Sequence, residues 1–234
     1  MTTSIPHWDL TNVYPSLDSK QFKNAMKQYK TMLDDMEVFL NKASKADSKA
    51  DAKKLGKLLG EAIDRFNKIY ELSGTLNPYI YSFVSTDSRN KEAKRIESEY
   101  EQIAVKANIL NTKFLAWAGK LGKPAIKKSA KTNASAGEHV FALNEAAEQS
   151  KYLMSEAEEI LAAELTLSGG NAFGKLQGVV TSQMTVDFEL DGKTQKLPMP
   201  ALINLRSHPD EATRKRGYEA ENKAWESVQE TLAA

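Results

Sequence analysis

Residues 88–121 read SRNKEAKRIESEYEQIAVKANILNTKFLAWAGKL, with apolar members at Ala93, Ile96, Tyr100, Ile103, Ala107, Leu110, Phe114, Trp117 and Leu121. The steps between them alternate three and four throughout, which is a heptad seam. At ~1.5 Å per residue such a helix is about 50 Å long. A compact chain of this length has a radius of gyration of about 17 Å. The helix must therefore cross the body, and its neighbours must pack along it. The expected fold is mainly α: an elongated antiparallel helical bundle in which 88–121 is an internal strut. The first two helices should flank that strut at crossings of about 20°.

The flanking sequence supplies those two helices. Asp18 or Ser19 can cap the first, which places Phe22, Met26, Tyr29, Leu33, Met36 and Leu40 on one face. A small, polar stretch from Asn41 to Asp51 follows. The second helix carries Leu55, Leu59, Ala62, Phe66, Ile69, Ser73 and Leu76, and Leu58, Ile63 and Tyr70 widen its stripe. A wide stripe implies two neighbours. Gly74 and Asn77-Pro78 predict a kink rather than an end, because Tyr79, Ile80 and Phe83 keep the spacing. Thr86, Asp87 and Ser88 offer a cap for the strut, and Gly122 with Pro124 predict its stop. Lys120 to Lys131 then reads as a basic connector. A solvated linker face is the first reading of that run, and a phosphate-binding patch the competing one.

Beyond it, Gly137 to Met154 is moderately helical. Ser155-Glu-Ala-Glu158 forms a capping box, with Ile160, Leu161 and Leu165 expected on the buried face that follows. Gly169-Gly170 closes that helix, and a shorter one holds Phe173, Leu176 and Val180. Met184, Val186, Phe188 and Leu190 alternate with polar residues, and Asp191-Gly192 is a type I′ turn signal. One small β-hairpin is therefore expected near 184–197, ended by Pro198 and Pro200. Ser207-His-Pro-Asp210 opens a last helix with Pro209 in its first turn. Tyr218, Ala224, Trp225, Val228 and Leu232 remain helical in spacing up to Ala234, without a Gly, Asn or Pro to close the pattern. That suggests the front piece of a longer protein. Three segments are expected: 1–122, a helical hairpin or bundle; 123–182, a second helical segment; and 183–234, the hairpin and the start of a further domain.

Composition narrows the function. The 234 residues carry a formal charge of +1, so no global field points to nucleic acid or an anionic membrane. There is no Cys, which removes disulfides, thiol nucleophiles and thiolate metal sites. The amino-terminal residues show no leader pattern and no apolar run reaches a membrane span, so a cytoplasmic protein is expected. His7, His139 and His208 lie far apart in sequence, and none has a second His three or four residues away. Glu138-His139 therefore lacks the partner a helical zinc site needs and reads as a helix-start or surface pair. Gly169 to Gly174 is Gly-rich, but no strand precedes it and no Lys-Ser/Thr follows, so it reads as a helix junction. Trp8, Trp117 and Trp225 read as core or interface residues. No catalytic, cofactor-binding or metal-ligating residue is assigned.

Trp8-Asp-Leu-Thr-Asn-Val-Tyr-Pro-Ser-Leu-Asp18 resembles the amino-terminal signature of the oligoendopeptidase F family, the thimet-type zinc metallopeptidases. Ser155-Glu-Ala-Glu-Glu-Ile-Leu161 resembles that family's helix before its hairpin. The hairpin and His208-Pro-Asp-Glu-Ala-Thr-Arg-Lys-Arg-Gly-Tyr218 resemble its passage into the peptidase domain. The resemblance implies a soluble enzyme that hydrolyses oligopeptides in a closed helical cavity, with zinc held by His-Glu-x-x-His and a further Glu. That motif is not in this sequence, so no catalytic role transfers to any residue here. The chain would be the non-catalytic amino-terminal portion, shaping the cavity and restricting substrate size, with oligopeptides as partners and neither nucleic acid nor membrane. A self-standing helical interaction module is the alternative, since a heptad seam serves equally inside a bundle or against a partner helix.

Overall fold

A computed structural model describes residues 8–233; Met1 to His7 and Ala234 lie outside it, and with them the leader reading, the His7 candidate and the chain's last residue. The described chain is 77 % helical with one antiparallel hairpin, so the mainly α fold holds. It forms two compact units, Met1–Leu165 and Thr166–Ala234. This division differs from the three expected segments chiefly because residue 122 is no border.

In the first unit, α1 (Lys20–Ala43), α2 (Ala52–Thr86) and α3 (Lys91–Ala130) run up, down and up. Tyr29 stacks on Tyr100, and the Trp117 indole donates to the Ala46 carbonyl at 3.0 Å, so α1 and α3 run in parallel. Phe66 meets Phe114, and the Thr132 hydroxyl donates to Ala52 O at 3.2 Å, so α2 is antiparallel to both. The heptad seam is the core-facing edge of α3. Ala93, Ile96, Tyr100, Leu110, Phe114, Trp117 and Leu121 are buried, with Ile103 and Ala107 half-buried against them. Each large member contributes about 1.5–3 kcal/mol by leaving water, as an upper estimate. Met26 and Ser73 are half-buried, and Tyr70 is exposed, stacked on Phe66. The wide stripe of α2 is thus narrower than its sequence suggested. α2 does continue through Pro78 to Thr86.

Caps settle the helix starts. Ser19 accepts from Phe22 N–H and Asp51 from Lys54 N–H. Asn90, rather than Thr86, Asp87 or Ser88, caps α3 by accepting from Ala93 N–H; Asp87 closes α2 instead. The expected stop at Gly122 is a turn. Gly122 takes φ +73°, a conformation that favours glycine, and the helix resumes at once. Pro124 sits in the first turn of the resumed piece, where its missing N–H costs nothing. The expected basic connector is therefore a second helical segment whose Ile126, Ser129 and Ala130 are buried. α4 (Ala134–Glu138) and α5 (Val140–Gln149) follow, and α5 packs along α3 through Leu143, Ala146 and Ala147. The strut is thus covered by α1 and α2 and also by α5, which the sequence did not predict.

The lead-in folds back on α1 and α2. Tyr14 meets Phe22 and Tyr79 edge-on, and the Tyr79 hydroxyl donates to Tyr14 O at 3.0 Å. Trp8, read as a core or interface residue, is 93 % exposed and so is not part of the core.

The second unit holds most of the remaining elements. α6 (Glu156–Ser168) leads toward it, followed by α7 (Gly170–Ser182), β1 (Thr185–Leu190), β2 (Lys193–Pro198), α8 (Met199–Asn204), α9 (Glu211–Glu226) and α10 (Gln229–Ala233). The strands pair from Thr185↔Pro198 to Leu190↔Lys193. Asp191 (φ 52°) and Gly192 (φ 73°) both take the left-handed conformation that a type I′ turn requires. Phe188, Met199, Leu202 and Leu205 form this unit's core, with Trp225 half-buried on it. Asp210 caps α9, accepting from the Thr213 amide and hydroxyl at 2.8 and 2.6 Å. Pro209 therefore precedes the helix rather than opening it. Among the described residues no helix is long and apolar enough to cross a membrane.

Candidate functional site

Several charged groups of the first unit tie one helix to another. The Lys106 ammonium lies 2.6 Å from both Asp34 and Glu37 of α1, and Lys113 reaches Glu37 and Glu156 at 4.0 and 3.7 Å. Beyond the Gly122 turn, Lys123 and Lys151 each lie 2.6 Å from Glu148. Those hydrogen bonds, from Lys123 first and Lys151 second, hold the Glu148 carboxyl at about 2, below its ordinary 4.5. The folded state binds this proton more weakly than the unfolded chain does. The stabilisation is therefore complete above about pH 4.5 and lost as pH falls toward 2. Lys123→Ala should raise the Glu148 midpoint toward 4.5 in a carboxyl-carbon NMR titration. An unchanged midpoint would show that the ammonium is not its cause.

A polar node sits inside the bundle. The Tyr100 hydroxyl and the Ser73 hydroxyl are 2.9 Å apart, beside the Tyr29 ring. Burial first, and the neighbouring Tyr100 second, push the Tyr29 phenol above its ordinary value. A phenol held protonated in this way is a hydrogen-bonding group rather than a base. In the second unit, Glu221 is buried and takes both ends of the Arg206 guanidinium, at 2.5 and 3.1 Å. The Trp225 indole adds a long hydrogen bond at 3.4 Å. This carboxylate is fully engaged in holding α9 to the segment after α8.

The residues singled out in the sequence do not converge. His139 sits at the α4–α5 junction, and its Nδ1 donates to Ser135 O at 2.9 Å, since a carbonyl can only accept. His208 belongs to the other unit, and its Nδ1 accepts from the Asp210 amide at 3.1 Å. Among the described residues no three His, Cys, Asp or Glu side chains stand where they could hold a metal ion. The described residues by themselves thus do not make a zinc centre. Gly169 joins α6 to α7 as a junction. The Ser155 box is formed: Ser155 N–H and Oγ–H donate to Glu158 at 2.9 and 2.6 Å, which lowers the Glu158 carboxyl below its ordinary value.

What the sequence misjudged is the helix beyond that box. α6 buries none of its residues, and Leu161 and Leu165, expected inside, are 55 % and 56 % exposed. α7 likewise bares Phe173 and Leu176, and a Cβ at Gly170, Gly174 or Gly178 would meet nothing. A glycine every fourth residue was the legible signal of a smooth stripe along α7. No protein family, curated protein or solved structure compared with the chain matches it.

Proposed function

We propose that this chain is the amino-terminal, non-catalytic portion of a zinc-dependent oligoendopeptidase, a cytoplasmic hydrolase of short peptides. In this reading the three long helices wall an enclosed cavity and restrict what enters it. The reactive part, with its His-Glu-x-x-His motif and zinc, is carried by sequence outside this chain. The observation that carries the reading is the bare apolar surface of α6 and α7, since Leu161, Phe173 and Leu176 lie open to water. Apolar patches of that kind mark surfaces another structural element covers. The capping-box helix, the hairpin and the Asp210-capped helix are the elements formed by the stretches that carry the family resemblance.

The purified chain with excess zinc should leave a quenched fluorescent oligopeptide uncut, because the His-Glu-x-x-His motif that would hold the metal and supply the general base is not in this sequence. Coding sequence following Ala234 should contain His-Glu-x-x-His, and protein carrying it should cleave the same peptide in a chelator-sensitive manner. A stop codon at that point, or zinc-dependent turnover by this chain free of contaminating protease, would overturn the proposal. A stable, discrete dimer formed by the chain alone would favour the interaction-module alternative.

A further inference from the structure

One end of the first unit concentrates positive charge that the overall balance conceals. The end of α1 and the turn after it bring Lys42, Lys45 and Lys49, and the start of α2 brings Lys53, Lys54 and Lys57. The final turns of α3, on both sides of Gly122, add Lys120, Lys127, Lys128 and Lys131. These segments meet in space: Trp117 bonds to Ala46 O, Thr132 to Ala52 O, and Gly56 lies directly against the Ser129 carbonyl. All of these lysines are exposed, and none forms an ion pair among the described residues, whereas Lys106, Lys113 and Lys123 do. The acids on the same segments are Asp47 and Asp51, whose carboxylates are occupied by the Lys49 and Lys54 backbone amides. Lys53 and Lys54 also stand in the first turn of α2, which holds no acidic residue. Cations there oppose the helix dipole. Helix stability therefore does not account for their placement.

We infer that this lysine-rich end is a docking face for an anionic lipid bilayer. Charge complementarity sets the class of partner, and the residue types select within it. The face is built from lysine alone, without the arginine forks that grip individual phosphates and read bases. Neither lysine-bearing segment, 42–57 or 120–131, contains an aromatic ring on which an unpaired base could stack. What remains is a field of mobile point charges, which is the requirement for a phosphatidylserine-rich surface. Each lysine near such a surface multiplies binding about fivefold. The large apolar side chains of the two segments, Leu55, Leu121 and Ile126, are buried rather than free to insert, so the contact is reversible and disappears as added salt shortens the screening length.

The full chain, sedimented with phosphatidylserine–phosphatidylcholine vesicles at low ionic strength, should bind them and not phosphatidylcholine alone. Lys127→Gln/Lys128→Gln/Lys131→Gln should weaken that binding about 100-fold. The same number of exposed lysines replaced in the second unit, Lys193→Gln/Lys196→Gln/Lys223→Gln, should leave it within about threefold. All six sites are solvent-exposed, and matched circular dichroism spectra would establish that both variants fold. Absence of binding to the anionic vesicles overturns the inference, as does equal loss in the two variants. Tighter binding to an RNA or DNA oligonucleotide than to vesicles, at equal salt, overturns it in favour of a nucleic-acid face. None of these readouts involves peptide hydrolysis, so failure here is separable from failure of the peptidase reading.

Discussion

Trp117→Ala should cost the first unit about 3–5 kcal/mol, read as a lower urea midpoint at unchanged denaturant dependence. Trp117 is 1 % exposed and stands edge-on to Phe114, near the crowded end of the bundle. Its ring fills space between α1 and α3, and its indole N–H closes the turn after α1 through Ala46 O. The two roles separate experimentally. Trp117→Phe keeps most of the volume and loses the donor, so it should cost nearer 1 kcal/mol beyond the change in ring size. Equal losses in the two variants would place the whole effect in the hydrogen bond and contradict the packing account.

Gly56→Val should destabilise by about 1–3 kcal/mol through overpacking. A Cβ at this position would stand 2.5 Å from the Ser129 carbonyl oxygen and against the Thr132 hydroxyl. The hydroxyl can rotate away. The carbonyl belongs to the resumed part of α3 and can retreat only if that segment shifts. Gly74 on the same helix gives the opposite sign, because a Cβ there meets nothing within 4 Å. Gly74→Ala should therefore stabilise by up to about 1 kcal/mol, the difference in helix propensity. Thermal unfolding of the pair tests whether contact or backbone entropy governs each glycine. A neutral Gly56→Val would mean that α3 does not approach α2 as closely as described.

The long helices, most of their buried faces and the hairpin register were legible because each is written locally. A period of three and four, an Asp-Gly turn and a capping residue need no knowledge of the rest of the chain. The resumed helix after Gly122 was not legible. A glycine followed two residues later by proline ends most helices, and the same pair also suits a sharp turn into a new one. Leu161 and Leu165 were misplaced for a different reason. Periodicity shows that a face is apolar but not whether anything in the chain covers it. Tyr70 was misread similarly, since a tyrosine at the edge of a stripe can rest its ring on Phe66 and still face water. The lysine-rich end was only half legible, because its two halves, residues 42–57 and 120–131, are joined only by the up-down-up path. The second half alone read as a basic connector with a phosphate-binding patch as the competing reading, and the first half was read only as a polar stretch and a helix start.

The Tyr29, Ser73 and Tyr100 node bears on how the bundle selects one alignment. An unbroken heptad is degenerate under translation: sliding one helix by seven residues, about 10 Å, again matches apolar faces to apolar faces. Hydrophobic burial alone therefore distinguishes the correct alignment from its repeats only weakly. A slip of that size would carry the Tyr100 hydroxyl away from the half-buried Ser73, its partner at 2.9 Å, and leave the buried Tyr100 to find another. Three residues, one from each long helix, thus act as an index mark for the core, and the repeat supplies adhesion without having to encode position.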